Sequence, residues 1–127
     1  MGKQWTCQED LLCGVNEPKD KMNLTDLEKK HIPVIDAPQK VRKDALFEVR
    51  IEVGKLLEHP NEATHFIEWL ELYAGETFLA RAHFSGGISY PSVIFKVKLS
   101  HAHGPLRVWE KCNLHGLWES TKDIIVE

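Results

Sequence analysis

Hydrophobic and polar positions alternate with a period of two over several short stretches of this chain. The cleanest is Leu46-Phe47-Glu48-Val49-Arg50-Ile51-Glu52-Val53, where Phe47, Val49, Ile51 and Val53 share one face and the charges take the other. That period predicts a half-buried β-strand, ended by Gly54. Phe78, Ala80, Ala82 and Phe84 repeat it over 77–84, and Gly86-Gly87 follows as a turn. Val93, Phe95, Val97 and Leu99 form another such face, with Lys96 and Lys98 outward. Residues 65–73 are dense in Phe, Ile, Trp, Leu and Tyr and predict a largely buried strand. His31 to Pro38 holds two prolines around a β-branched run, which predicts an extended edge segment. Residues 106–111 predict a strand that delivers Cys112, and 123–126 a short last one. About seven short strands with turns between them, and no long helix, imply an all-β fold, an immunoglobulin-like antiparallel β-sandwich.

Residues 1–27 lack this pattern. They are polar and irregular, too poor in large apolar residues for a core of their own, and read as an N-terminal extension to one domain over 28–127. Within 22–30 a short helical turn is expected, with Asn23 or Thr25 as its cap. A length of 127 residues suits one domain with a sizeable core. The net charge of −3 gives no bulk attraction to nucleic acid or an acidic membrane. No apolar run approaches the roughly 20 residues of a membrane helix. The first residues lack an apolar signal core, so a cytoplasmic protein is expected.

Three cysteines, Cys7, Cys13 and Cys112, are an odd number, which argues against a disulfide framework. Cys7 and Cys13 are too far apart for a Cys-x-x-Cys metal knuckle and are expected as free thiols, with the sequence leaving open whether they pair. Seven histidines are many for this length. His83, His101 and His103 fall on surface or turn positions. The stretch Lys111-Cys112-Asn113-Leu114-His115-Gly116-Leu117-Trp118 sets a thiol and an imidazole three residues apart. A tight turn there aims both at one point, and Gly116 lets the backbone leave it without steric cost. His59 and His65 bracket the loop Pro60-Asn61-Glu62-Ala63-Thr64, and His31 stands before Ile32-Pro33 on backbone expected to be extended. Imidazole and thiolate are good ligands for iron, zinc or copper. Four imidazoles and one thiolate leave one octahedral position for an exogenous ligand.

Three motifs in this order, Lys30-His31-Ile32-Pro33-Val34-Ile35, His59-Pro60-Asn61-x-x-x-His65 and Cys112-Asn113-Leu114-His115-Gly116-Leu117-Trp118, resemble the superoxide reductases of the neelaredoxin and desulfoferrodoxin family. The resemblance runs from about Glu28 to the C-terminus, about four-fifths of the chain. It implies a mononuclear non-haem iron with His31, His59, His65 and His115 equatorial and Cys112 axial. It implies superoxide as substrate, hydrogen peroxide as product, a rubredoxin-like electron donor and a homo-oligomer, dimer or tetramer. Lys30 occupies the place of the lysine that attracts the anion and positions a proton-donating water. Members of the family often carry a glutamate two residues before the histidine, as sixth ligand of the oxidised iron. Lys29 stands in that place here, and Glu28 lies one residue early, which on extended backbone turns its side chain to the other face. Cys7 and Cys13 cannot supply the four thiolates of the extra iron domain found in larger members, so the one-iron form is implied. The cysteine pair then reads as free thiols or as a remnant of that domain. The insertion some one-iron members carry around Gly86-Gly87 is missing.

Two other functions fit parts of the pattern. Copper electron-transfer sandwiches also bear a Cys…His loop near the C-terminus, but they need an axial ligand, usually Met, soon after. The only methionines are Met1 and Met22. A structural zinc site takes four ligands, and five candidates overfill it. Trp69, Trp109 and Trp118 read as core or site wall.

Overall fold

The computed structural model describes Cys7 and residues 10–127. In chain order the elements are β1 (Val15–Asn16), α1 (Asp26–His31), β2 (Pro33–Asp36), β3 (Lys40–Val41), β4 (Leu46–Val53), β5 (Ile67–Ala74), β6 (Thr77–His83), β7 (Ser92–Lys98), β8 (Leu106–Cys112), β9 (Gly116–Lys122) and β10 (Ile125–Val126). The alternating stretch 46–53 is β4, and Phe47, Val49, Ile51 and Val53 are buried as the period required. β4 is the middle of an antiparallel three-stranded sheet, β2-β4-β7. Pro33 opens the edge strand β2, the place where a missing N–H costs least. The larger sheet runs β1-β9-β8-β5-β6, antiparallel except that β1 joins β9 in parallel. β3 and β10 form a two-stranded parallel ribbon.

The two large sheets share one apolar core. Val49 and Ile51 from the smaller sheet meet Leu70, Leu72, Leu106 and Val108 from the larger, all fully buried. A buried aliphatic side chain stabilises a fold by about 1.5–3 kcal/mol through the area it withdraws from water. Truncation also leaves a cavity, so Leu70→Ala is expected to cost about 2–5 kcal/mol in urea unfolding. The all-β, immunoglobulin-like sandwich is the observed fold, and no described helix is long and apolar enough to cross a membrane.

Five local expectations change. His31 is the last residue of α1, so it stands on helical backbone, not extended. Thr25 caps that helix in a reciprocal box with Glu28, and this local pairing overrides the extended reading of 28–31. Strand β9 arises where the sequence showed no alternation, because β8 pairs with it from Cys112 opposite Gly116 to Leu106 opposite Lys122. The two-residue strands β1, at the edge of the larger sheet, and β3, in the ribbon, carry no visible pattern either, and the strand expected over 123–126 shrinks to β10. In β6 the ladder slips: Leu72 faces Ala80 but Tyr73 faces Phe78, leaving Leu79 as an extra residue. That bulge turns Leu79 to the core and Phe78 out to 53% exposure. Finally, Cys7 and Cys13 are not free thiols but a disulfide, with Cα atoms 5.2 Å apart. Their odd partner is Cys112, which stays a buried free thiol. A local turn is enough to bring two cysteines within bonding range, so the odd total carried no weight.

Candidate metal centre

The site forms where β4 and β8 finish and β5 begins, floored by a small cluster of Val53, Ile67 and Cys112. Each donor is placed by its own local device. His31 ends α1 because Pro33 disfavours helical backbone at Ile32, which is extended at φ −67°, ψ 122°. Its Nδ1–H donates to the Leu27 carbonyl at 2.7 Å, one helical turn back. His59 follows Gly54, whose φ of +90° folds the loop back on the strand end. A Cβ at Gly54 would stand 2.9 Å from the His59 nitrogen. The His59 Nδ1–H donates to the Pro60 carbonyl at 2.6 Å. His65 closes a tight turn in which the backbones of Glu62 and His65 exchange two hydrogen bonds. Cys112 ends β8, and the turn to Gly116, at φ +81°, brings His115 Nδ1 to 3.8 Å from its Sγ.

The four imidazoles make a closed ring. Centroid separations are 4.7 Å for His31–His59, 4.8 Å for His59–His65, 5.0 Å for His65–His115 and 4.9 Å for His115–His31, with neighbouring planes 68–85° apart. One donor atom from each of the four, together with Cys112 Sγ, lies within 4.8 Å of every other. Donors on opposite sides of a single ion, at bonds of about 2.0–2.3 Å, stand about as far apart.

These residues fit a transition-metal ion. With Nδ1–H of both His31 and His59 donated to carbonyls, their Nε2 atoms carry lone pairs, yet these stand 3.2 Å apart. Two lone pairs at that range repel unless a cation lies between them. His65 Nε2 is buried with no hydrogen-bond partner. Nitrogen and sulfur donors select a transition metal over calcium or magnesium. Burial pulls the His31 and His59 rings down to about 4, and for His59 the neighbouring rings and the Lys30 ammonium add to it. Burial, His65 and Lys30 also lower His115. Burial pushes the Cys112 thiol up, so metal binding must displace its proton. His31, His59 and His115 are therefore held neutral at pH 7, ready as ligands.

A pH prediction follows for the metal-free protein. Between the ordinary value of 6.5 and about 4 the unfolded chain holds protons that folded His31 and His59 refuse. Stability is full above pH 6.5 and falls as pH drops toward 4. Thermal unfolding of metal-free protein at pH 7 and pH 5 is expected to give the lower midpoint at pH 5.

Around the donors, Trp118 stacks on His31 at 5.0 Å and donates from Nε1 to the His115 carbonyl at 3.0 Å. It is site wall, as the sequence suggested. Asn113, which sequence reasoning passed over, ties the cysteine turn to the His65 segment. Its amide donates to the Thr64 carbonyl and its Oδ1 accepts from Phe66 N–H, both at 2.9 Å. Only its place between Cys112 and His115 hinted at this. Glu110 was missed too. It lies on the inner face of β8, fully buried, and burial pushes its carboxyl well above the ordinary range. The alternation Leu106, Val108, Glu110, Cys112 held that signal.

Lys30 is half-buried on α1, beside His31. Its charge is felt at His59 and His115, and none of the ion pairs among the described residues uses it. Glu28 is one helical turn before His31, but its carboxylate is otherwise engaged. Oε1 accepts from Thr25 N–H at 2.9 Å and Oε2 from Lys19 N–H at 3.0 Å, and the Thr25 amide above all holds it below the ordinary carboxylate range. It does not join the five converging donors. His83 is exposed on β6, and His101 and His103 stack on each other in a turn away from the centre.

A β-sandwich that gathers four histidines and one buried cysteine within reach of one another defines the class, a sandwich with a candidate metal site. The desulfoferrodoxin family model matches residues 23–121, and the chain belongs to that family. It is similar to the superoxide reductase (neelaredoxin) structure from Ignicoccus hospitalis, at 40% identity and a TM-score of 0.77, over 89% of this chain and 95% of that one. It is 38% identical to the superoxide reductase of Pyrococcus horikoshii, over 72% of this chain and 84% of the relative. It is 31% identical to the neelaredoxin of Megalodesulfovibrio gigas, over 78% and 89% respectively.

Proposed function

We propose that this protein is a superoxide reductase that uses one iron held by His31, His59, His65, His115 and Cys112. The observation that carries this reading is the closed imidazole ring with a buried thiol at its side, every donor within 4.8 Å of the others. The reaction consumes one superoxide, one electron and two protons and yields hydrogen peroxide. A bound iron supplies the one-electron redox chemistry.

The chain does the rest. Hydrogen bonds to the Leu27 and Pro60 carbonyls orient His31 and His59, and Trp118 steadies His31 and His115 together. Cys112 offers a thiolate in an apolar pocket, where its electron donation is little screened. His65 and His115 are only half-buried, so solvent reaches this side of the ring. Lys30 draws the anion in and orders the water that delivers protons. The electron comes from an outside donor of the rubredoxin kind, and the working unit is a homo-oligomer.

The test is metal content with the visible spectrum of the air-oxidised protein. The reading expects one iron per chain and a thiolate-to-iron band that bleaches with superoxide or ascorbate. A colourless protein with one zinc would leave a structural site, and an intense blue copper band a cupredoxin-like carrier.

A further inference from the structure

The described N-terminal residues do not stand apart from the sandwich. Val15 and Asn16 pair in parallel with Leu117 and Trp118 of β9. Asn16 Nδ2 donates to the Leu11 and Leu117 carbonyls, both at 2.8 Å. The backbone of Leu11 and Leu12 rests on the bare Cα of Gly116, where a Cβ would run into the Leu11 carbonyl. Gly116 adjoins His115, and Trp118 is the ring stacked on His31. A strap thus lies across the hairpin that carries two candidate ligands and their wall.

The strap is closed by the Cys7–Cys13 disulfide. Among the described residues its ties to the hairpin include the two-residue ladder, the Asn16 amide and the seating of Leu11 and Leu12 on Gly116, and short pairings of this kind are marginal in water. Cys7 is exposed and Cys13 is half-buried. Gly14, at φ +72°, lies beside the Cys7 sulfur and has no side chain to set against it, where a Cβ would be in contact at 3.5 Å.

We propose that Cys7–Cys13 is a reversible redox clasp on the metal hairpin, opened by a dithiol reductant and closed by reoxidation. A thiolate of the dithiol attacks the exposed Cys7 sulfur, breaking its bond to Cys13 and releasing the Cys13 thiolate, which takes a proton. The second thiol of the donor, losing its proton, then displaces Cys7 from the mixed disulfide. Two electrons and two protons pass to the pair, and the donor leaves as its own disulfide. The loop 7–13 that carries Leu11 is then no longer closed, its non-covalent contact with Gly116 loosens, and the hairpin opens more often. The clasp does not depend on what reaction the metal centre performs.

The test uses the full-length, metal-loaded protein and dithiothreitol. Thiol titration after denaturation is expected to find one thiol per chain before treatment, Cys112, and three after treatment of the folded protein. Amide hydrogen exchange over 115–118 is expected to rise about tenfold or more on reduction and to return on reoxidation. The double variant C7S/C13S, with no reductant present, is expected to show the fast exchange permanently, which separates the clasp from any effect of dithiothreitol on the metal. Three thiols before treatment, a pair that resists reduction while the protein stays folded, or unchanged exchange at three thiols would each overturn the proposal.

Discussion

Cys112→Ser is expected to lower metal affinity by at least about a hundredfold and to abolish the thiolate-to-metal band. Cys112 supplies the only sulfur among the five donors, and it lies fully buried between Val53 and Ile67. A serine oxygen is a poorer ligand and also a poorer neighbour, since a hydroxyl left unpaired in that apolar cluster costs about 1–3 kcal/mol. Metal loss and destabilisation are therefore expected together, and they are separable. Removing metal from the unaltered protein is expected to abolish the band while leaving the Cys112 side chain packed between Val53 and Ile67. Equilibrium titration of both chains with ferrous ion, followed by unfolding of the metal-free forms, measures the two effects. Unchanged affinity in the serine variant would mean that the histidines alone hold the ion.

Lys30→Ala is expected to slow the bimolecular reaction with superoxide by about tenfold at low salt and to flatten its salt dependence. The reason is positional. Lys30 is next to His31 on α1, its charge is felt at His59 and His115, and no described carboxylate pairs with it. Lys30→Arg keeps the charge and is expected to keep most of the rate. Lys29→Ala, one position back, serves as the comparison and should change the rate less. Pulse radiolysis over a range of ionic strength reads both effects. Equal rates for Lys30→Ala and the parent would remove the side chain from the reaction.

The residue types and order of the candidate ligands could be read without a structure. So could β4 and β7, because a side-chain period of two is a property of the strand itself. The face of 77–84 was half legible: Ala80 and Ala82 turn inward as their spacing required, while the bulge at Leu79 reversed Phe78. Such a slip depends on how two strands register, not on either strand alone. The helical turn expected within 22–30, with Thr25 as its cap, continues through the run Glu28 to His31, where the sequence reading placed extended backbone because of the proline that follows. Once that run is helical, Glu28 lies on the His31 side of α1, and what occupies it is two backbone amides.

The sequence by itself determined an all-β chain with a thiol and four imidazoles in three ordered motifs, since composition, period and spacing are local properties. Only the tertiary structure decided that those five donors close on one point. It also decided that Asn113 and Trp118 brace them, that Glu110 lies buried beneath the cysteine strand, and that a disulfide-closed strap crosses the hairpin. Each of these joins segments distant in the chain or sets a side chain's surroundings, and packing between sheets, not the pattern within one segment, brings such groups together.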